Sequence, residues 1–147
     1  MRYAVVAKKD EKSHAVENKI KDRLSKENWI YDKKEPELVI CVGGDGTMLY
    51  GLHQYLNSLD KIKFLGIHTG TLGFFTDYTE EELDECLNDI LNKEPECFES
   101  SLLRIKLDNL EEPFYALNEM RVENIVKSQI MDIYVDGEFF ETCRGSG

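Results

Sequence analysis

Near Pro95 the spacing of apolar residues along this chain changes from a mixed strand-and-helix pattern to strict alternation. Before that point, short apolar runs alternate with stretches whose apolar positions fall three or four residues apart. Arg2 to Lys8 predicts a first strand. Glu11 to Asn28 is polar except for Val16, Ile20 and Leu24, a stripe that predicts an amphipathic helix. Trp29-Ile30-Tyr31 predicts a short second strand, Glu37 to Val42 a third, and Lys63-Phe64-Leu65-Gly66-Ile67 a fourth. Between the last two, Met48, Leu49, Leu52, Tyr55 and Leu56 recur at helical spacing, so a helix runs to about Leu56. Thr79-Glu80-Glu81-Glu82 has the Thr-x-x-Glu form of a capping box. The helix it opens carries Leu83, Leu87, Ile90 and Leu91 on one face and stops before Pro95. Strands alternating with helices predict an α/β domain with a mostly parallel sheet and helices on both faces.

After Pro95 the period is two. Leu103, Ile105 and Leu107 alternate with Arg104, Lys106 and Asp108, a strand with one wet face. Pro113 to Met120 predicts another strand, carrying Asn118-Glu119 at its end. Met131, Ile133 and Val135 alternate with Asp132 and Tyr134, and Asp136-Gly137 then turns the chain into Glu138 to Cys143, a hairpin signal. The expected organisation is an α/β domain over residues 1–95 and the start of an antiparallel β domain over 96–147. A strand ending at the last residue would leave an open sheet edge.

The chemistry concentrates where the third strand meets its helix. Leu38-Val39-Ile40-Cys41-Val42 runs into Gly43-Gly44-Asp45-Gly46-Thr47. Glycines at such a turn let backbone N–H groups approach a ligand, and a helix N-terminus favours anions. A carboxylate is out of place in a loop that only cradles phosphate. Asp45 makes sense as acceptor or base for a hydroxyl, or with a divalent cation between it and the phosphates; the plain alternative is a glycine turn whose Asp caps the helix. No Lys-Ser/Thr pair follows the glycines, and the G-x-G-x-x-G spacing is absent, so neither common nucleotide loop is present. A second loop, His68 to Asp77, again follows a strand and holds Gly70, Gly73, Phe74 and Phe75. Both loops sit at carboxyl ends of strands, where ligands of parallel sheets collect.

Composition narrows the class. With 147 residues, 41% hydrophobic and 32% charged, the chain is that of a globular protein, long enough to bury a core. Its net charge of −11 argues against non-specific binding to nucleic acid or acidic membranes. Nine Asp or Glu stand against Lys93 alone between Glu80 and Glu99, the pattern of a solvated helix face and acidic connector. An anionic nucleotide would therefore need backbone N–H groups, Arg or Mg²⁺ nearby. No apolar run approaches the roughly 20 residues of a membrane span, and the N-terminus turns polar too soon for a signal peptide, so a cytoplasmic location is expected. Cys41, Cys86, Cys97 and Cys143 lack C-x-x-C spacing and read as reduced thiols, and the three histidines form no metal-ligand pattern.

Gly-Gly-Asp-Gly-Thr between strand and helix resembles the motif shared by NAD kinases, phosphofructokinases and diacylglycerol- or sphingosine-type lipid kinases. The second loop, with its Thr-Gly-x-Leu-Gly-Phe run of residues 69–74, the Asn118-Glu119 pair and Arg144-Gly145-Ser146-Gly147 follow in the order and approximate spacing of bacterial NAD kinases. The resemblance covers essentially the whole chain. It implies a Rossmann-like first domain, a β-sandwich NAD-binding second domain, and transfer of a phosphoryl group from ATP to the 2′-hydroxyl of the adenosine ribose of NAD. Gly43, Gly44, Gly46 and Thr47 would form the phosphate loop. Asp45 would accept the hydroxyl proton or hold that hydroxyl in line, with Gly46 giving room beside it. Phe74 would pack near the adenine, Asn118 and Glu119 would bind ribose hydroxyls, and Arg144 and Ser146 would belong to the same NAD site. Mg²⁺ or another divalent cation is implied, with no direct protein ligand, and a homo-oligomer, dimer or tetramer, that completes the NAD sites.

Two departures stand out. Ser146 occupies a position where many relatives carry Asp; a serine can hydrogen-bond but supplies no charge. Relatives also continue past the position of Gly147 into a Thr-Pro-x-Gly-x-x-Ala-Tyr stretch, so the chain is expected to be an N-terminal portion. The rival readings are a lipid or sugar kinase of the same superfamily and a non-catalytic nucleotide-binding module.

Overall fold

A computed structural model describes residues 1–70 and 73–145, in two compact units dividing between Phe98 and Glu99. The first unit is built on five parallel strands: β1 (Arg2–Ala7), β2 (Ile30–Tyr31), β3 (Leu38–Gly43), β4 (Lys63–His68) and β5 (Tyr78–Thr79), in the order β2-β1-β3-β4-β5. Helix α1 (Glu11–Lys26) connects β1 to β2, α2 (Asp45–Gln54) lies between β3 and β4, and α3 (Leu83–Asn92) follows β5. The chain leaves β1 toward one edge and returns to β3 on the other side, so the strand order reverses between β1 and β3. The carboxyl ends of these strands are where a doubly wound sheet holds its ligand.

Side chains on a strand alternate between faces, and the two sides of this sheet are packed accordingly. Tyr3, Val5, Leu38, Ile40 and Val42 point to one face and meet Val16, Ile20 and Leu24 of α1 and Leu83, Cys86 and Leu87 of α3. Ala4, Val6, Val39 and Cys41 point to the other, against Met48 of α2 and Ile62. All six residues of β3 are buried, as a central parallel strand requires.

Helix α1 is capped at both ends. Asp10 accepts the Ser13 amide at 2.8 Å, and Asn28, in the left-handed region at φ 59°, closes the helix while the Trp29 amide donates to the Leu24 carbonyl at 3.2 Å. The capping box forms: the Thr79 amide donates to Glu82 at 2.8 Å and the Glu82 amide to Thr79 Oγ1 at 3.3 Å. Two features differ from expectation. Helix α2 ends at Gln54, and a 3-10 turn over Leu56–Ser58 takes up the rest. Tyr78–Thr79 joins the sheet as a fifth strand too short for periodicity to mark.

The second unit holds two antiparallel pairs: β6 (Leu103–Ile105) with β7 (Phe114–Ala116), and β8 (Gln129–Val135) with β9 (Glu138–Gly145). Asp136 and Gly137 make the expected two-residue turn at φ 54° and 85°, and β9 carries a bulge near Phe140. The strand expected over Pro113 to Met120 is a correction: pairing stops at Ala116, and Asn118 and Glu119 lie exposed beyond it, outside any strand. Three registered pairs, Leu103 with Ala116 to Ile105 with Phe114, are all that β6 gives β7 to pair with. Among the described residues, no helix is long and apolar enough to cross a membrane.

Candidate functional site

The site grows from the end of β3. Gly43 must be glycine, because a Cβ there would run into Thr47 Oγ1 and come within 2.9 Å of Thr47 Cβ and 3.1 Å of Lys8 Cβ. Gly44 caps α2 without any side-chain hydrogen bond, so the first amides of the helix face outward from a ten-residue α-helix. Gly44, Gly46 and Gly70 are another matter: a Cβ on any of them would meet nothing within 4 Å. The fold does not require them, and a helical Gly46 costs about 1 kcal/mol relative to Ala. Glycines kept where nothing in the chain crowds them fit a backbone that a ligand approaches closely.

Asp45 does not cap its own helix, as the plain reading of the motif would have it. Its carboxylate reaches to the second loop, where Oδ2 accepts the Phe74 amide and Oδ1 the Phe75 amide, both at 2.9 Å. Gly73 makes this possible, since a Cβ on it would collide with Asp45 Oδ1 and lie 2.6 Å from its Cγ. The acid thus ties the two glycine loops together. Each carboxylate oxygen has a second lone pair, so Asp45 can accept one further donor while holding both amides.

The second loop is anchored along its length. Asp77 Oδ2 accepts the Gly66 amide at 2.8 Å, and the Asp77 amide donates to the Gly66 carbonyl at 2.8 Å. The Thr69 amide donates to the Gly43 carbonyl at 3.2 Å. Thr69 Oγ1 lies 2.7 Å from Ser13 Oγ, a buried hydroxyl pair linking this loop to α1. Lys12 of α1 and Glu80, just after β5, add an ion pair of 2.8 Å.

Between the loops lies an open cavity of about 370 Å³, within the size range of small-molecule sites. Its wall is made of Gly43, Gly44, Gly46 and Thr47 from the first loop, Thr69 and Gly70 from the second, and Lys8 at the end of β1. Phe75 turns inward against the sheet, whereas Phe74 is 98% exposed beside Asp45. A bare aromatic ring next to a polar loop is what a planar heterocycle would stack on.

The structure therefore brings Gly43, Gly44, Asp45, Gly46, Thr47 and Phe74 together in the first unit. Asn118, Glu119 and Arg144 belong to the second, all three exposed, with Arg144 in register with Ile130 on the hairpin. Ser146 lies outside the described residues, as do Thr71 and Leu72 of the second loop. Sequence reasoning placed Gly73 in the second loop without a role of its own, and passed over Ser13 and Lys8. Ser13 had a signal, a small polar residue at the head of the Val16-Ile20-Leu24 stripe; Lys8, at a strand end, had none.

All four cysteines are free. Burial pushes the Cys41 thiol up to about 12 and, with nearby Asp77 and Asp89, does the same to Cys86, so neither is a nucleophile near neutral pH.

Residues 3–95 match the family model of the ATP-NAD kinase N-terminal domain. The chain is 40% identical over 149 residues to an NAD kinase of Geobacillus stearothermophilus, covering 99% of this chain and 55% of that protein. It is 38% identical over 151 residues to NAD kinase 1 of Bacillus subtilis strain 168, covering 100% and 57%, and 40% identical over 153 residues to an NAD kinase of Staphylococcus aureus, covering 100% and 56%. The chain thus spans about half the length of the relatives it matches. Among solved structures, yeast NADH kinase complexed with NADH superposes with a TM-score of 0.72 at 15% identity, over 97% of this chain and 54% of that one. That likeness extends the shared fold beyond the glycine loops, and the sequence matches carry the assignment: this chain belongs to the ATP-NAD kinase family.

Proposed function

We propose that the chain carries the phosphate-binding and catalytic part of an NAD kinase, which passes a phosphoryl group from ATP to the 2′-hydroxyl of the adenosine ribose of NAD. The observation that carries this reading is Asp45, a carboxylate fixed by the Phe74 and Phe75 amides and flanked in the chain by Gly44 and Gly46, which line the cavity. Phosphoryl transfer asks little covalent chemistry of the protein and much positioning. The donor phosphates lie against the open amides of Gly44 to Gly46, and the acceptor hydroxyl donates to a remaining lone pair of Asp45. The hydroxyl oxygen forms the new bond to phosphorus as the bridging oxygen leaves with ADP, and Asp45 takes up or holds the hydroxyl proton. Because the carboxylate is already aimed, little reorganisation is left for that step.

Phe74 would stack on the adenine, and Asn118 and Glu119 would pair donor and acceptor groups with a ribose diol. Arg144 and Ser146 would contribute to the remainder of the NAD site. The same reading takes ATP as the donor and includes a homo-oligomer completing these sites and a cytoplasmic location. Among the described residues no group of three or more His, Cys, Asp or Glu could hold a metal, and both Asp45 oxygens already accept amides. A magnesium ion would accompany the donor phosphates and offset their charge.

The test is NADP formation from NAD, ATP and Mg²⁺ by the chain and its Asp45→Asn variant. The variant keeps one amide acceptor and should lose roughly 10²- to 10⁴-fold in rate, the usual worth of a positioned base. Equal rates would remove Asp45 from the chemistry. A chain that forms no NADP and whose melting temperature ignores both NAD and ATP would overturn the reading altogether.

A further inference from the structure

Among the described residues, the cavity between the glycine loops is walled by glycines, threonines and one cationic side chain, Lys8. That is an economical arrangement for a protein of net charge −11, whose long-range field repels a polyphosphate. Lys8 is placed by the sheet: its amide donates to the Val42 carbonyl at 2.8 Å, continuing the pairing of β1 with β3, and its Cβ lies over Gly43. Its ammonium group is held to the side. Nζ lies 3.0 Å from Asp10 Oδ2, and Asp10 is itself fixed at the head of α1 by the Ser13 amide. The Lys8 side chain is 64% exposed, so an exposed ion pair worth little in water is all that keeps it there.

Resting on the reading of this cavity as the donor site, we infer that Lys8 is the side-chain cation for the donor's phosphates: it leaves Asp10 and pairs with the terminal phosphates at the cavity mouth. A lysine suits this task because its ammonium is a compact point charge on a flexible four-carbon stem, able to follow a phosphate that changes position during transfer. Lys9, the next residue, is its natural control. It lines a different cavity of about 460 Å³, with His14, Glu17, Lys33 and Tyr55.

Calorimetric titration of the chain with inorganic tripolyphosphate and with Mg·ATP, for wild type, K8M, K8R and K9M, tests the assignment. The K8M variant should bind both probes about tenfold or more weakly, the worth of one charge-assisted contact, with K8R close to wild type and K9M within about twofold. Its melting temperature should stay at the wild-type value, since the side chain is mostly in solvent. Wild-type affinity in K8M, or equal losses in K8M and K9M, would overturn the role of Lys8 while leaving the cavity as the donor site. A wild-type chain that binds neither probe would overturn the donor site, and the inference with it.

Discussion

The two units of this chain use their apolar residues in opposite ways. In the first, the central strands β1 and β3 are covered on both faces, and Ile20, Leu24, Val39, Ile40, Val42 and Ile67 are all completely buried. In the second, none of the described residues is buried, and Phe114, Val126, Tyr134, Phe139 and Phe140 are all more than half exposed. Yet both are patterned correctly for their elements. Alternation of period two makes β8 and β9 pair over seven registered positions, with Tyr134 and Phe139 edge to face at 5.7 Å. Pairing and burial are separate achievements: a hairpin satisfies backbone groups by itself, but a core needs a second layer. The first unit has α1 and α3 on one side of its sheet and α2 on the other. The second has two separate two-stranded sheets and no helix among its described residues.

Substitution at one buried and one exposed apolar residue tests that contrast most forcefully. Ile40→Ala, in the middle of β3 and packed on both neighbours, should cost about 2–5 kcal/mol, by loss of transfer energy and a cavity the rigid sheet cannot close. Phe140→Ser, at the bulge of β9 and 65% exposed, should change stability by no more than about 0.5 kcal/mol. Urea unfolding midpoints of both variants decide it. A Phe140→Ser loss as large as that of Ile40→Ala would mean that the hairpin is covered in solution.

The same contrast explains what could be read from the sequence. The elements of the first unit were legible because each residue choice agreed with burial: five apolar residues in β3, a stripe at spacing four on α1, a capping box before α3. Tyr78–Thr79 escaped because two residues carry no period, and pairing with Ile67 and His68 is a tertiary fact. The extent of β7 was over-read because the apolar content of Phe114 to Met120 says nothing about where its partner stops. At the site, the glycines and Asp45 were visible as a motif, and the motif's plain mechanical reading, a cap, was the one that failed. What Asp45 binds depends on a loop about thirty residues away, and no local rule reaches that far.

Glycine sharpens the comparison at a second level, because the two units need it for different reasons. Gly73 makes room for Asp45, whereas Gly137 is glycine for its backbone, at φ 85° with nothing near its Cβ. Gly73→Ala should therefore expel the Asp45 carboxylate from its seat, costing about 2 kcal/mol for the two charge-assisted amide bonds and roughly 10²-fold in NADP formation. Gly137→Ala should cost about 1 kcal/mol through strain alone and leave the Asp45 bonds intact. Amide exchange at Phe74 and Phe75 separates the cases: it should accelerate in the first variant and stay unchanged in the second. Protection retained in Gly73→Ala would show that the loops can part without losing the carboxylate's grip.

The smallest effect lies at the head of α1, where acid should loosen the first unit beside its site. The Ser13 amide, then the Lys8 ammonium, hold the Asp10 carboxyl down to about 2 from its usual 3.8. A carboxyl held below its unfolded value stabilises the fold fully above about pH 4, and that contribution fades as pH falls toward 2, because in this window the unfolded chain binds the proton first. Asp10→Asn keeps a cap of equal quality but cannot titrate or pair with Lys8. The wild type should thus melt slightly above the variant at pH 6, with the gap closing by pH 2. A gap that persists unchanged to pH 2 would mean that the charge of Asp10 contributes nothing to the fold. Its ion pair with Lys8 would then be a crossing of two solvated side chains, and Lys8 would be as free to meet an anion as its exposure suggests.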